Sequence, residues 1–368
     1  MTMPRWIKGL LAAALLAVPA VSPAVAQTPQ KIRVQSTFPQ ASLFTDTLNY
    51  WADRVKALSG GRLEVEVLAT GTLVPAFEVL DATHKKVIDG GHSAPAYWVG
   101  KNRAATLFGP APGGPFGMDM MDYMGWINDG GGQALYNEFY QEVLKRDVVA
   151  FPLHAAANQA LGWFKRPIAS WEDLKGRKCR QTGITAEVFS KAGMSPVNMP
   201  GGEIVPAGER GVIECAEWVG PAEDIKVGMQ TVWKHFYMPS THEPATVVEL
   251  LLNGDVWRKL SPDLQAIVKT ATIEATFRSQ WYVNRINAEA IKELQEKHGV
   301  KIERTPDDIL RKTLEAWDQI AKDESEKSPF FKKVYESQRA YAAQVVPGRR
   351  AVIPPYAAGA DYYWPEKK

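Results

Sequence analysis

The chain has 368 residues, with 43 Lys and Arg against 41 Asp and Glu, 6 His and 2 Cys. This balance leaves no basic footprint for nucleic acid, and two cysteines are too few for a disulfide scaffold and lack zinc-site spacing. The length exceeds what one hydrophobic core usually serves, so two lobes are expected.

Arg5 and Lys8 precede an apolar run from Leu10 to Val18, and the stretch closes with Ala24, Val25 and Ala26 before Gln27. Residues 1–26 thus read as a cleavable secretory signal peptide, whose apolar core is shorter than the roughly 20 residues of a bilayer span. Neither cysteine lies at the cleavage point, so the mature chain is expected in the periplasm without a lipid anchor. In that oxidising compartment Cys179 and Cys215 either pair or remain two buried thiols.

After the cut, residues 31–37 read as a strand, 42–58 as a helix stopped by Gly60 and Gly61, and 63–67 as an alternating strand. A helix is expected over 75–88, ended by Gly90 and Gly91, and a strand over 94–99. Residues 108–118 hold three prolines and four glycines and read as a loop between lobes or over a cleft. A helix over 132–146 leads to strands at 148–153 and 159–164, a helical turn at 171–174 and a strand at 178–182. In the next strand, 213–219, alternation puts Cys215 and Glu217 on one face and Ala216 and Trp218 on the other. Strands spaced by helices imply parallel sheets with ligand sites at their carboxyl ends.

From 262 to 298 runs one helical pattern, with Ser261 as N-cap and Gly299 as stop, longer than the usual roughly 8 to 20 residues. Helices over 307–322 and 329–345 follow. The expected organisation is an α/β, two-lobed fold with long C-terminal helices. One lobe takes 27–153 with about 242–262, and the other takes 154–241. Residues 262–346 span the lobes and form the C-terminal helices, and 347–368 form a tail that wraps a surface or a partner subunit.

The enzyme motifs are missing: no G-x-S-x-G elbow, H-E-x-x-H, Walker loop or G-x-G-x-x-G after a strand. Gly130 to Gly132 suit a turn, and Pro244 denies His242 and Glu243 the helix that i, i+4 metal ligands require. No enzymatic activity is expected. Asn158 and Gln159, Arg180, and Glu217 with Trp218 instead fall at strand ends. Arg180 offers the planar fork that matches a carboxylate, though the same residue suits a salt bridge. Glu217 would repel an acid ligand unless a cation lay between them. Its carboxylate, the Gln159 amide and a backbone carbonyl are oxygen donors suited to sodium or calcium; a solvated glutamate is the other reading.

The runs Asp173-Leu174-Lys175-Gly176, Lys178-Cys179-Arg180, Pro200-Gly201-Gly202-Glu203-Ile204 and 211–221, ending Ala216-Glu217-Trp218-Val219-Gly220-Pro221, resemble the extracytoplasmic receptors of TRAP transporters, the DctP-type family. The resemblance covers nearly the whole mature chain and implies an α/β, two-lobed fold of the periplasmic binding protein kind, type II-like, with long C-terminal helices. It implies that Arg180 grips the ligand carboxylate. The Glu-Trp-Val-Gly-Pro form is similar to the branch that binds 2-oxo or 2-hydroxy monocarboxylates, such as pyruvate or lactate, with a sodium or calcium ion. It assigns the ion to Glu217, the Trp218 carbonyl and Gln159, with Glu243 as a further contributor. Tyr97 and Trp98 correspond to an aromatic wall and Asn158 to a polar contact. Membrane subunits of the transporter and a homodimer through the C-terminal helices are the implied partners. Residues 206–210, Cys179 and the glycine- and proline-rich 111–115 depart from the pattern beside the pocket. A dicarboxylate, a sugar acid or a bulkier hydroxy or aromatic acid is therefore the alternative ligand, and a secreted hydrolase or lyase the remote alternative function.

Overall fold

A computed structural model describes residues 29–109, 111–156 and 158–365, so the signal-peptide expectation lies outside the described residues. Two mixed sheets organise the chain. The first has the order β2-β1-β3-β10-β4, built from β1 (Gln30–Ser36), β2 (Leu63–Leu68), β3 (Gly90–Ser93), β4 (Val148–Ala156) and β10 (Thr246–Asn253). The second has the order β11-β9-β5-β8-β6-β7, from β5 (Gly162–Phe164), β6 (Lys178–Arg180), β7 (Ser195–Val197), β8 (Cys215–Ala216), β9 (His235–Met238) and β11 (Lys301–Arg304).

The expectation of parallel sheets needs correction. β10 runs antiparallel to β3 and β4, and β5 antiparallel to β8 and β9. The cause is the path of the chain, which leaves the first sheet at β4 for β5 and returns from β9 to β10. None of the antiparallel pairs joins strands consecutive in the chain, so the strand–helix–strand crossover that makes sequential neighbours parallel does not govern them.

Residues 90–99 also differ from expectation. Gly90 and Gly91 begin β3 instead of ending a helix. A Cβ on Gly90 would lie 2.8 Å from the Leu251 carbonyl oxygen, and one on Gly91 would lie 2.4 Å from Val79 Cγ1. Only glycine fits between β10 and the helix Val79–His84, itself shorter than expected. The expected strand over 94–99 is a helical turn, Pro95–Trp98, because Pro95 has no N–H for a ladder.

The helix Leu43–Leu58 starts at Ser42, whose hydroxyl accepts from the Phe44 N–H at 3.1 Å. The 35-residue helix Pro262–Glu296 packs on β4, on Leu43–Leu58, on the helix Pro221–Val227 and on β11, and so touches both sheets. Helices Asp307–Lys327 and Pro329–Val352 follow. The second runs through Pro347, where a stop was expected. Pro347 and Ala343 are exposed, so the Ala343 carbonyl that loses its helical partner faces water. The tail holds the short helix Tyr356–Tyr363, with no buried residue. No described helix is long and apolar enough to cross a membrane.

Candidate functional site

β6 and β8 are parallel neighbours, with Cys179 opposite Cys215 and Arg180 opposite Ala216. This register puts the ends of both strands side by side and brings Arg180 next to Glu217. Cys179 and Cys215 form a disulfide with a Cα–Cα distance of 4.5 Å, which ties the two strands one residue before the site.

Arg180 Nη1 donates to Glu217 Oε1 at 2.5 Å and to the Glu217 carbonyl at 3.1 Å, and Nε donates to the Met199 carbonyl at 3.3 Å. Its guanidinium carbon sits 5.3 Å from the Trp218 ring centroid. Nη2 donates to no protein group among the described residues. Glu217 Oε1 also accepts the Thr182 N–H at 3.1 Å. Burial nonetheless holds the Glu217 carboxyl above its ordinary pKa, against the pull of Arg180.

Gln159 and Glu243 arrive from the two connections between the sheets and bond twice. The Gln159 N–H meets the Glu243 carbonyl at 2.9 Å, and Gln159 Nε2 donates to Glu243 Oε2 at 2.6 Å. Burial, reinforced by the Glu217 charge, pushes the Glu243 carboxyl well above its usual range. Tyr97, Phe38 and Phe44 close the site from the first sheet; Trp218 faces Phe38 at 6.3 Å and Phe44 at 6.1 Å between ring centroids, and Tyr97 packs on Phe38 at 6.1 Å.

These groups enclose a cavity with about 40 Å3 open to the centre of a water molecule. One water needs roughly 10–15 Å3 by that measure, so the space takes a ligand of few heavy atoms. Three buried side-chain oxygens on its wall, Gln159 Oε1, Thr182 Oγ1 and Thr246 Oγ1, have no hydrogen-bond partner among the described residues. Orphaned polar atoms are costly inside a protein. Gln159 Oε1 beside two carboxylates meets the donor chemistry of a hard cation. No group of three His, Cys, Asp or Glu forms a metal cluster among the described residues, so an ion here would draw on amide and carbonyl oxygens as well.

Of the residues singled out in the sequence, Gln159, Arg180, Glu217, Trp218, Glu243 and Tyr97 line one cavity. Trp98 and Asn158 do not. The Trp98 indole turns away and donates to Glu249 at 2.7 Å in the core. Asn158 is exposed, and its amide is exchanged with the Ser240 backbone at 2.5 and 3.1 Å. Phe38, Phe44 and Thr182 were missed. Thr182 stands two residues after Arg180, and Phe38 follows the carboxyl end of β1, where α/β ligand sites lie.

Residues 34–327 match the family of DctP, bacterial extracellular solute-binding protein, family 7. The chain belongs to this family. The resemblance read in the sequence is correct, and the protein is a solute-binding receptor. It is similar to a monocarboxylate 2-oxoacid-binding periplasmic protein from Nostoc sp., 34% identical over 80% of this chain and 79% of the relative. It resembles a TRAP transporter solute-binding protein from Bordetella bronchiseptica, a mixed-occupancy dimer with calcium and picolinate bound. That match has a TM-score of 0.84 and 28% identity, over 91% of this chain and 97% of the other. A TRAP receptor from Pseudoalteromonas atlantica, solved with sodium and pyruvate, matches with a TM-score of 0.82 and 30% identity, over 88% of this chain and 97% of the other.

Proposed function

We propose that this receptor captures a small 2-oxo or 2-hydroxy monocarboxylate together with a sodium or calcium ion and delivers it to the membrane subunits of a TRAP transporter. The observation that carries the reading is the pairing of Arg180 with Glu217 beside the orphaned oxygen of Gln159. The acid carboxylate takes the free Nη2 edge of Arg180, whose other donors the protein already holds in place. Gln159, Glu217, the Trp218 carbonyl and Glu243 hold the ion, which supplies the positive charge that lets an acid lie beside two buried glutamates. Tyr97, Phe38, Phe44 and Trp218 shut out water. The small cavity favours a short acid over a bulkier aromatic or sugar acid.

The two sheets act as the lobes that close on the acid, with residues 27–153 and about 242–262 in one and 154–241 in the other. Residues 1–26 direct export to the periplasm and are removed. The exposed Tyr356, Tyr362, Tyr363 and Trp364 support a homodimer through the C-terminal helices, and a measurement of mass in solution tests it.

A thermal-shift series tests the function, because a ligand that binds only the folded state raises stability by mass action. Pyruvate and lactate should raise the melting temperature in sodium or calcium and much less in sodium-free buffer with chelator. Equal shifts with and without cation would remove the ion, and a shift with dicarboxylates alone would remove the monocarboxylate.

A further inference from the structure

Glu223 is 3% exposed, in the first turn of the helix Pro221–Val227, and does not line the ligand cavity. Its carboxylate reaches from the second-sheet side to the first. Oε1 accepts from Ser42 Oγ at 2.7 Å and Oε2 from the Leu43 N–H at 2.6 Å. Ser42 is the N-cap of Leu43–Leu58, and its hydroxyl passes the contact on to the Phe44 N–H. A buried negative charge thus sits on the N-terminus of a 16-residue helix, where free N–H groups and the helix dipole favour it.

The same Oε1 accepts from the Trp218 indole at 3.0 Å. Trp218 lines the cavity and faces Phe38 and Phe44. One carboxylate therefore grips both the wall of the ligand site and the opposite side of the cleft. The other charged contacts across this cleft, Lys226 with Asp46 and Arg103 with Glu187, are partly exposed and contribute little.

We propose that Glu223 is the latch of the closed receptor, a positioning residue that acts through Trp218. Opening the cleft parts Glu223 from Ser42 and Leu43, so this bond set exists only in the closed form. Because Trp218 shares the carboxylate, a ligand that seats the indole also seats the latch. Its role is to slow release, not to contact the acid.

The proposal rests on the receptor reading only for the ligand used. Stopped-flow fluorescence follows pyruvate, with sodium or calcium, binding to the wild type, Glu223→Ala, Ser42→Ala and the double variant. Charge-assisted bonds of this kind correspond to about ten-fold or more in an equilibrium constant. Dissociation should accelerate by about ten-fold in Glu223→Ala while association stays near wild type, since the latch forms after encounter. Ser42→Ala should accelerate release as well, and the double variant should be no worse than Glu223→Ala, because both remove one interaction. Wild-type release in Glu223→Ala, or losses that add, would overturn the latch. If the wild type binds no pyruvate, the functional reading fails separately, and hydrogen exchange at the Leu43 amide decides the latch without ligand. Faster exchange in Glu223→Ala supports it, and unchanged protection overturns it.

Discussion

Arg180 donates to Glu217 at 2.5 Å, with both side chains 2% exposed. Read along the chain, these residues have separate duties, one toward the acid and one toward an ion; the fold makes them partners. The positive charge that greets a carboxylate is already matched by Glu217, and Glu243 lies beside them. A bound acid adds a further negative charge to a buried site, which is why a cation belongs there.

Replacing Arg180 should cost more than the ligand. Arg180→Ala strands Glu217 as a buried, unpaired carboxylate, a change that destabilises by about 3–5 kcal/mol. Pyruvate binding should fall below calorimetric detection, and the urea midpoint should drop. Arg180→Lys keeps the charge without the fork and should weaken binding with a smaller loss of stability. Full affinity in Arg180→Ala would show that the carboxylate is gripped elsewhere.

The disulfide gives a second test, because it ties β6 to β8 just before Arg180 and Glu217 and closes a separation of 36 residues in sequence. Cross-links of this size stabilise by about 2–4 kcal/mol. The paired Cys179→Ala, Cys215→Ala variant should melt lower than the oxidised wild type, and reductant should lower only the wild type. Two titratable thiols in the unfolded, unreduced protein would contradict the bond.

Much of the site was legible because its residues sit in short runs at strand ends, where register does the assembling. Arg180 and Glu217 meet through a parallel pair of strands, and Gln159 meets Glu243 where the chain crosses between sheets. Alternation within a run was harder to read. Asn158 is one residue from Gln159 yet points to Ser240, and Trp98 follows Tyr97 yet points to Glu249, so neighbours quoted together do not share a face. The aromatic wall from Phe38 and Phe44 depends on contact between the two sheets, which spacing along the chain does not encode. β10 is buried at all eight positions, so it shows no alternation that would mark its antiparallel place.

Glu249, within that strand, should leave a mark on the pH dependence of stability. It is fully buried and accepts from Trp98 at 2.7 Å, from Tyr140 at 2.7 Å and from Tyr136. Burial pushes its carboxyl up to about 7 despite those bonds. The folded chain then keeps a proton that the unfolded chain gives up near pH 4.5, so this contribution is present below pH 4.5 and lost as pH rises through 7. Asp224, also pushed by burial to about 7, acts in the same direction. His92, His154 and His242, lowered by burial to about 3, act in the opposite one, adding stability as pH rises from 3 to 6.5. Glu249→Gln isolates one group. Relative to wild type it should gain about 1–3 kcal/mol between pH 4.5 and 7 and then stay level. A pH-independent difference in urea unfolding would show that Glu249 titrates normally.

Of two adjacent glycines, Gly201 packs against the Trp218 ring and Gly202 does not. A Cβ on Gly201 would lie 2.2 Å from the Trp218 ring, whereas one on Gly202 would meet only Pro39 Cγ at 3.9 Å. Trp218 cannot yield without moving its contacts with Arg180, Phe38, Phe44 and Glu223. Gly201→Ala should therefore weaken pyruvate binding by at least about ten-fold, the equivalent of roughly 1.4 kcal/mol, at a cost in stability typical of overpacking, about 1–3 kcal/mol. Gly202→Ala should bind like the wild type. Calorimetry on the pair separates a requirement for the indole position from a general intolerance of this turn: equal losses in both variants would point to the turn, and a loss confined to Gly201→Ala to Trp218.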